Sequence, residues 1–261
     1  MNSEHNTLTT RVAVVTGASA GIGDAVARHL AECDVSVVVN ARRKERLDQL
    51  VSAITEQGGR AIAVAGDCAD QTVVDAMLDA AEDTFSKPAD LVVINAGRGL
   101  AGSVMTTDES QWEDMIRTNV TAAARLLRSA AKRMLDAIDA NNPLARPHDI
   151  VLLGSNVGKH ISPFSSMYGS TKFALGAIAE GARRELGPQG IRVSLVCPGI
   201  VKSEFQKVAG YDEEWARDFF AKFDPVLEPI DVARTIGFIV SQPPHVHIND
   251  VVLRPTRQDY P

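Results

Sequence analysis

The amino-acid sequence predicts a single-domain α/β fold, built on a seven-stranded, mostly parallel sheet with helices on both faces. Two observations predict it: seven short runs rich in β-branched residues, and longer helix-like segments between them. The runs are apolar nearly throughout, as expected of parallel strands that are covered on both faces. Regular alternation of strand and helix favours right-handed crossovers within one sheet.

The elements follow in order along the chain. The predicted strands are Val12 to Val15, Val35 to Val39, Ala61 to Ala65, Leu91 to Ile94, Ile150 to Leu153, Val193 to Val196 and Val251 to Leu253. The predicted helices are Ile22 to Glu32, Lys44 to Gln57, Thr72 to Phe85, Val120 to Asp139, Met167 to Leu186 and Asp231 to Val240. Glycines at 58, 59 and 187 follow their helices as stop signals.

Length and composition suit one domain over residues 1–261, because a large α/β domain often reaches this size. The net charge of −6 predicts no nucleic-acid partner, since phosphate binding needs a basic face. No apolar run could cross a bilayer, so we expect no membrane partner, and the polar start of the chain is unlike a signal peptide. Three cysteines without a C-x-x-C pair favour reduced thiols and a cytoplasmic location.

The first predicted strand runs into a glycine-rich turn, TGASAGIG at residues 16–23, which opens a helix. Such a turn lets the backbone approach a pyrophosphate, and the helix amino terminus directs N–H groups and a positive dipole end at it. The alternative is a glycine-rich turn that serves only close packing. The expected cofactor contacts in this turn are Gly17, Ser19, Ala20, Gly21, Ile22 and Gly23.

The spacing T-G-x-x-x-G-x-G resembles the short-chain dehydrogenase/reductase family, in its short rather than extended branch. The family's N-A-G element recurs at residues 95–97 after the fourth predicted strand, and its P-G element at 198–199 after the sixth. The resemblance implies a Rossmann fold that binds a nicotinamide cofactor. The further cofactor contacts that it implies are Asp67, Cys68, Asn95, Ala96, Gly97, Pro198, Gly199, Ile200 and Ser203.

The end of the second predicted strand bears on the choice of cofactor. An NAD enzyme of this architecture places Asp or Glu there, to bind the ribose 2′-hydroxyl. Here Ala41 stands at that position and Arg42 follows, whose guanidinium suits a 2′-phosphate. The sequence therefore predicts NADP(H). The alternative is that Arg42 and Arg43 are a solvated pair at a helix start.

Tyr168 and Lys172 stand four residues apart on a predicted helix and so share one face. A nearby ammonium group favours tyrosinate, which predicts that Lys172 lowers the pKa of the phenol for acid/base work. Ser155 ends the fifth predicted strand, where its hydroxyl could bind a substrate oxygen. Alone, Ser155 and Asn119 would be a strand-end cap and a helix cap.

Together, Ser155, Tyr168 and Lys172 resemble the catalytic set of the family, and Asn119 matches its fourth member. The resemblance implies that Tyr168 exchanges a proton with the substrate, that Lys172 also binds the cofactor ribose, and that Asn119 shapes a helix kink. We therefore expect an NADP(H)-dependent oxidoreductase that transfers a hydride between the cofactor and a small-molecule alcohol or carbonyl. A non-catalytic NADP sensor is the alternative; an extended-branch epimerase or a methyltransferase would show other motifs.

The substrate pocket is expected beyond the carboxyl ends of the strands. Its candidate lining residues are Arg98, Gly99, Leu100, Asn156, His160, Phe164 and Met167. The aromatic-rich segment 199–229 is predicted to form a lid, or else an ordinary amphipathic helix pair. The chain's ending resembles a subgroup that oxidises serine and other 3-hydroxy acids; uncharged ketones are the alternative. The cations that could bind such a carboxylate are Arg98, Lys159, His160 and Lys202.

Two further expectations concern metals and assembly. His245 and His247 form an H-x-H pair without a nearby carboxylate or cysteine cluster, so we expect no metal. The family resemblance implies a homodimer or homotetramer, assembled through the helix that begins at Val120 and the helix that bears Tyr168.

Overall fold

The computed structural model describes residues 8–260 of the chain. Seven parallel strands form one sheet in the order β3-β2-β1-β4-β5-β6-β7. The strands are β1 (Val12–Thr16), β2 (Ser36–Ala41), β3 (Arg60–Ala65), β4 (Leu91–Ile94), β5 (His148–Leu153), β6 (Ile191–Pro198) and β7 (Asp250–Leu253). All seven predicted strands are therefore confirmed, as is the predicted fold class.

Helices cover both faces of the sheet. They are α1 (Gly21–Glu32), α2 (Lys44–Glu56), α3 (Gln71–Phe85), α4 (Trp112–Ile116), α5 (Ala122–Ala137), α6 (Ser166–Leu186), α7 (Phe205–Val208), α8 (Glu213–Phe223) and α9 (Pro229–Val240). The predicted start of the fourth helix at Val120 was wrong. That helix already begins at Trp112 and continues from α4 into α5 through a π-helical turn, Arg117–Thr121.

The strand β1 shows how one sheet carries two hydrophobic cores. Ala13 and Val15 face the core beneath α1, α2 and α9, whereas Val12 and Val14 face the core beneath α3, α5 and α6. Side chains of a strand alternate between the two faces, so a strand covered on both sides must be apolar at every position. This explains why the strands are apolar nearly throughout.

The order of the strands along the sheet changes direction at β1. β1 pairs with β2 on one side and with β4 on the other, so the chain proceeds from β1 towards one edge of the sheet and from β4 towards the other edge. In open α/β sheets such a point opens a crevice at the carboxyl ends of the strands. The glycine turn after β1 and the residues that follow β4 lie at this crevice.

The amino ends of the strands hold a buried network of opposite charges. Arg11 bonds Asp90 at 2.9 Å and Asp149 at 2.7 Å, and Arg192 bonds the same Asp149 through two nitrogens at 2.7 and 2.9 Å. The side chain of Asp149 is only 1% exposed. Arg192 also donates to the backbone carbonyls of Gln242, Pro243 and Val246, which joins β6 to the segment before β7.

His148, the first residue of β5, makes the stability of the fold depend on pH. Burial, with the positive charges of Arg146 and Arg11, lowers the pKa of His148 to about 4. The folded protein therefore binds fewer protons than the unfolded chain, in which the pKa is about 6.5. The stabilisation that the neutral imidazole provides is fully present above about pH 6.5 and is lost as the pH falls towards 4.

We therefore expect the protonation of His148 to lower the free energy of unfolding by about 2 kcal/mol when the pH falls from 7 to 5. The measurement is urea denaturation at both pH values for the unaltered protein and His148→Gln, which has no titrating ring. The variant should lose less stability on acidification. An equal loss in both proteins would show that His148 does not carry the effect.

Candidate active site

The glycine turn after β1 has a conformation that its glycines make possible. Gly17 and Gly21 have φ angles of 68° and 58°, in the left-handed region that side chains disfavour. A Cβ on Gly23 would lie 2.4 Å from the Gly17 carbonyl oxygen, so α1 packs directly on the turn. The result is a cradle of bare backbone at the amino terminus of α1, which fits a pyrophosphate group.

Asn95, directly after β4, fastens this turn to the sheet. Its Nδ2 donates to the carbonyl oxygens of Thr16 at 2.8 Å and Gly17 at 3.3 Å. The Thr16 hydroxyl accepts from the backbone nitrogens of Asn95 and Ala96, both at 3.1 Å. Sequence reasoning did not identify this role of Thr16. The available signal was a polar residue at the end of an otherwise apolar strand.

Beyond β2 the structure places a second arginine at the turn. Arg42 lines the cleft, but Arg43 contacts the turn itself, donating from Nη2 and Nε to the Ser19 hydroxyl at 2.9 and 3.2 Å. Arg43 also lies 3.2 Å from the carboxylate of Glu204, which Arg46 contacts at 2.8 Å. The prediction from the sequence named only Arg42 at this position. It missed Arg43, because the fold of the turn brings Ser19 within reach of that residue.

Asp67 follows β3 and lies at the same end of the cleft. Its Oδ1 accepts from the Ala69 backbone at 2.9 Å and its Oδ2 from Arg117 at 2.8 Å. Burial acts to raise the pKa of Asp67, but these two bonds and the charge of Arg42 outweigh burial, and the pKa is lowered. Burial raises the pKa of the neighbouring Cys68 thiol to about 11, which keeps it protonated.

Tyr168, in the first turn of α6, lies buried at the centre of the cleft, 9% exposed. Ser155, just beyond the end of β5, lines the same cavity, and its hydroxyl donates to Asn156 Oδ1 at 3.3 Å. Burial raises the pKa of Tyr168, and the nearby Ser155 side chain offsets only part of that rise. The protein's own groups therefore favour the neutral phenol, which can donate a proton.

Lys172 lies one turn further along α6, with Nζ 5.7 Å from the centre of the Tyr168 ring. Its Nζ donates to the Leu153 carbonyl at 2.7 Å, and burial lowers its pKa to about 8. In the protein alone burial raises the pKa of Tyr168, and the lowering effect of Lys172 on that phenol stays a prediction. Burial dominates both groups, and it disfavours tyrosinate and ammonium alike.

Asn119 lies inside the π-helical turn that joins α4 to α5, and it ties three segments together. Its Nδ2 donates to the Arg98 carbonyl at 2.9 Å and to the Thr171 hydroxyl at 3.0 Å. Its Oδ1 accepts from the Arg98 backbone nitrogen at 2.8 Å. The helix irregularity thus connects the loop after β4 with α6, beside Lys172.

A glycine and a glutamine complete the support of the site. A Cβ on Gly158 would lie 2.9 Å from the backbone of Lys172, so glycine allows α6 to approach the end of β5. Near the carboxyl terminus, Gln258 Oε1 accepts from the Ile200 backbone at 3.0 Å, and a Cβ on Gly199 would collide with that oxygen. Sequence reasoning missed Gln258, because nothing local marks a contact across 58 residues.

One cavity of about 980 Å³ brings most of the predicted site residues together. They are Gly17, Ser19, Ala20, Gly21, Ile22, Arg42, Asp67, Cys68, Asn95, Ala96, Gly97, Ser155, Tyr168, Lys172, Pro198, Gly199, Ile200 and Ser203. Two predicted residues do not line it. Gly23 packs against Gly17, and Asn119 lies buried behind the wall. The residues present fit a nicotinamide dinucleotide laid across the carboxyl ends of the strands.

The substrate candidates separate into two groups. Arg98, Asn156 and Phe164 line the cavity. Gly99, Leu100, His160 and Met167 are not among the lining residues; Gly99 instead lies against Phe205, and Leu100 packs with Tyr168.

Two of the cations proposed to bind a carboxylate are paired with acidic side chains. Arg98 pairs with Asp114 at 2.6 Å, and Lys159 pairs with Asp250. Lys202 faces a smaller pocket on the far side of the glycine turn.

The segment 199–229 forms the outer wall of the cavity. Its aromatic residues that line the cleft are Phe205 of α7, Tyr211 between the two helices, and Trp215, Phe219 and Phe223 of α8. The segment is also bonded to the body of the protein: the Ala101 backbone donates to the Ala209 carbonyl at 2.9 Å, and the Gly199 backbone donates to the Leu253 carbonyl at 2.7 Å. It is therefore a packed helix pair that covers the cleft.

Within residues 8–260, no group of three or more His, Cys, Asp and Glu side chains could hold a metal ion. His247 Nε2 instead lies 3.0 Å from the Val193 carbonyl. A search of the same residues finds no helix that is long and apolar enough to cross a membrane.

The sequence model for short chain dehydrogenases matches residues 11–214. Curated relatives include an uncharacterized oxidoreductase of Staphylococcus aureus, 28% identical over 248 residues, covering 95% of this chain and 98% of the relative. A second, from Staphylococcus epidermidis, is 29% identical over 245 residues and covers 94% and 97%.

Solved structures give the same result. An alcohol dehydrogenase from Thermococcus sibiricus, complexed with 5-hydroxy-NADP, superposes with a TM-score of 0.81 at 25% identity, covering 96% of this chain and 99% of that one. A metagenomic short-chain oxidoreductase in complex with NADP gives 0.77 at 30% identity, covering 96% and 100%. A Brucella melitensis 3-ketoacyl-(acyl-carrier-protein) reductase complexed with NADH gives 0.83 at 24%, covering 96% and 99%. This chain is an oxidoreductase of the short-chain dehydrogenase/reductase family.

Proposed function

We propose that the protein interconverts an alcohol and a carbonyl compound with NADP(H) as the hydride carrier. The observation that carries this proposal is that the Tyr168 and Ser155 side chains line the same cavity as the glycine turn. A proton donor is thereby held beside the site that fits a nicotinamide dinucleotide. A non-catalytic NADP sensor would have no need for this pair of hydroxyls.

Each residue of the site has a distinct task in this proposal. The bound nicotinamide supplies or accepts the hydride. Tyr168 passes its phenolic proton to the substrate oxygen during reduction, and a phenol of raised pKa holds that proton until charge develops on the oxygen. Ser155 donates a hydrogen bond to the same oxygen. Lys172, held by the Leu153 carbonyl, would bind the cofactor ribose.

Asn119 acts as a positioning residue in this proposal. It bonds Thr171, the neighbour of Lys172 on α6, and both backbone groups of Arg98. These bonds keep α6 in place against the loop after β4. Asn119 has no contact with the cavity, so it would act through Lys172 and not on substrate.

The preference for NADP(H) rests on the surroundings of the turn after β2. Ala41 offers no carboxylate to bind a ribose 2′-hydroxyl, while Arg42 and Arg43 line the cleft and Arg43 contacts Ser19. Two guanidinium groups beside a hydroxyl suit a 2′-phosphate. The Glu204 carboxylate, 3.2 Å from Arg43, would have to share that arginine with the phosphate.

Replacing Arg42 and Arg43 together by Ala is expected to raise KM for NADPH about tenfold to a hundredfold, since a hydrogen bond from a charged group contributes roughly 1.5–3 kcal/mol. KM for NADH should change little. Steady-state kinetics with both cofactors measures this, with Arg60→Ala, an exposed arginine at the start of β3, as the control. A preference of the unaltered protein for NADH would refute the assignment.

The substrate class divides into a charged and an uncharged alternative. The 3-hydroxy acid hypothesis needs a cation for the carboxylate, yet Arg98 pairs with Asp114 and Lys159 with Asp250. The uncharged alternative is favoured by apolar side chains in the cavity, among them Phe164, Phe205 and Trp215. We therefore favour an uncharged carbonyl substrate, and the 3-hydroxy acids stay a prediction to be tested beside it.

Assembly and location complete the proposal. A homodimer or homotetramer assembled through α5 and α6, and a cytoplasmic site of action, stay predictions that follow from the family resemblance and the reduced cysteines. The mass of the purified protein in solution tests the first of them.

A further inference from the structure

Four aromatic rings form a continuous ladder along α8 and the residues just before it. Tyr211, Trp215, Phe219 and Phe223 follow at intervals of four and so share one helix face. Their ring centres lie 4.9, 4.8 and 5.2 Å apart, and the first three rings are nearly parallel. All four line the cavity that holds Tyr168. This ladder has no part in the hydride transfer described above.

The packing of the ladder is incomplete at its centre. Phe223, at one end, is fully buried, whereas Trp215 stays 40% exposed on the cavity side of α8. Phe164 and Val208, each 62% exposed, line the same cavity. Large apolar side chains that stay in contact with water inside one cleft indicate a surface that a ligand covers.

The ladder also reaches the reacting centre. Tyr211 and Ser165, the residue directly before α6, line the cavity together with Tyr168. Phe205 lies 5.4 Å from the Tyr168 ring, at an angle of 53°. A molecule whose oxygen meets Tyr168 therefore extends along the aromatic face.

The charges around this part of the cavity argue against an anionic substrate. Arg98 is paired with Asp114, and Lys172 is buried against the Leu153 carbonyl. Lys222 also lines the cavity, but it is exposed to solvent and lies over the Phe223 ring at 5.0 Å. The substrate end of the cavity is thus mainly aromatic, and its cations are paired, bonded to a backbone carbonyl or exposed to solvent.

We propose that the substrate is an uncharged ketone or secondary alcohol that carries an aromatic ring, and that this ring packs against the exposed edge of the ladder at Trp215, whose two faces are covered by Tyr211 and Phe219. An edge-to-face contact with an indole adds attraction to the burial of apolar area, and it fixes the orientation of the carbonyl towards Tyr168 and Ser155. This inference rests on the proposed function, and it names the substrate class of the same site.

Benzylacetone and butanone test the inference, because they share the reacting methyl ketone and differ by one phenyl group. With NADPH, we expect kcat/KM for benzylacetone to exceed that for butanone by at least about tenfold. Acetoacetate, a charged ketone of similar size to butanone, should be the poorest of the three. A higher kcat/KM for acetoacetate, or equal values for the first two ketones, would overturn the inference.

Substitution of the ladder gives the second arm. Trp215→Ala should lower kcat/KM for benzylacetone about tenfold and leave that for butanone nearly unchanged. Arg217→Ala, on the exposed face of the same helix, is the matched control and should affect neither ketone. An equal loss for both ketones in Trp215→Ala would assign Trp215 to the packing of α8 and overturn its role in binding the substrate ring.

A binding measurement separates this inference from the proposed function. If the unaltered protein reduces none of the three ketones with NADPH or NADH, the proposed function fails. Quenching of tryptophan fluorescence then tests the ladder alone, in a Trp112→Phe background where Trp215 is the one remaining indole. Saturable quenching by benzylacetone, and not by butanone, supports the aromatic subsite; equal quenching or none contradicts it.

Discussion

Tyr168→Phe is expected to lower kcat about a thousandfold, the loss that follows removal of a well-placed general acid. The substitution deletes a single oxygen, so the ring keeps its contact with Phe205 and its place in the first turn of α6. The substrate oxygen then has no proton donor of suitable position. Steady-state assays that follow the oxidation of the reduced cofactor measure this loss.

Binding of NADPH should survive the same substitution, since the hydroxyl lies at the reacting end of the cavity. Fluorescence of the reduced cofactor measures that binding directly. Tyr260→Phe is the matched control, because Tyr260 also lines the cavity but its hydroxyl donates a hydrogen bond to the Ile161 carbonyl at 3.2 Å. Turnover of Tyr168→Phe close to that of the control would exclude Tyr168 as the proton donor.

Asp149→Ala is expected to lower the free energy of unfolding by about 4 kcal/mol, because breaking a buried ion pair leaves its partners charged and without compensation. Arg11 and Arg192 both depend on this carboxylate, and both lie buried with it. Urea denaturation at neutral pH measures the loss.

Glu180→Ala is the matched control for that experiment. Glu180 contacts Arg183 and Arg184 at 2.6 Å each, but its side chain lies at the surface of α6. Surface ion pairs contribute about 0–1 kcal/mol, so we expect a small change from Glu180→Ala. Equal losses in the two variants would show that the network at the amino ends contributes no more than surface charges do.

The fold could be predicted from the sequence because its signals are local. Strands such as β1 are apolar nearly throughout, and a glycine follows each of several helices, so the sequence predicted the order of elements. The sequence did not predict the start of α4, because a π-helical turn interrupts the apolar period at Asn119. Two short helices, α7 and α8, also lay inside a segment that the sequence described only by its aromatic content.

The residue types of the candidate site were also predictable, whereas their electrostatics were not. Tyr168 and Lys172 share a helix face, as their spacing indicates, yet the depth of burial sets the direction of both pKa shifts. Burial is a property of the assembled fold. For the same reason the contacts of Arg43 with Ser19 and Glu204 could not be read from the sequence, since the partners lie 24 and 161 residues away.

The amino ends and the carboxyl ends of the strands differ in the substitutions that they would tolerate during evolution. The paired arginines and aspartates occupy the amino ends, remote from the opening where α8 lies, and α8 presents a solvent-exposed outer face around Arg217. Substitutions along α8 therefore leave the ion pairs at the amino ends of the strands unchanged. Descendants of this chain could acquire new ligand preferences by varying one peripheral helix, while the framework that keeps them folded is inherited intact.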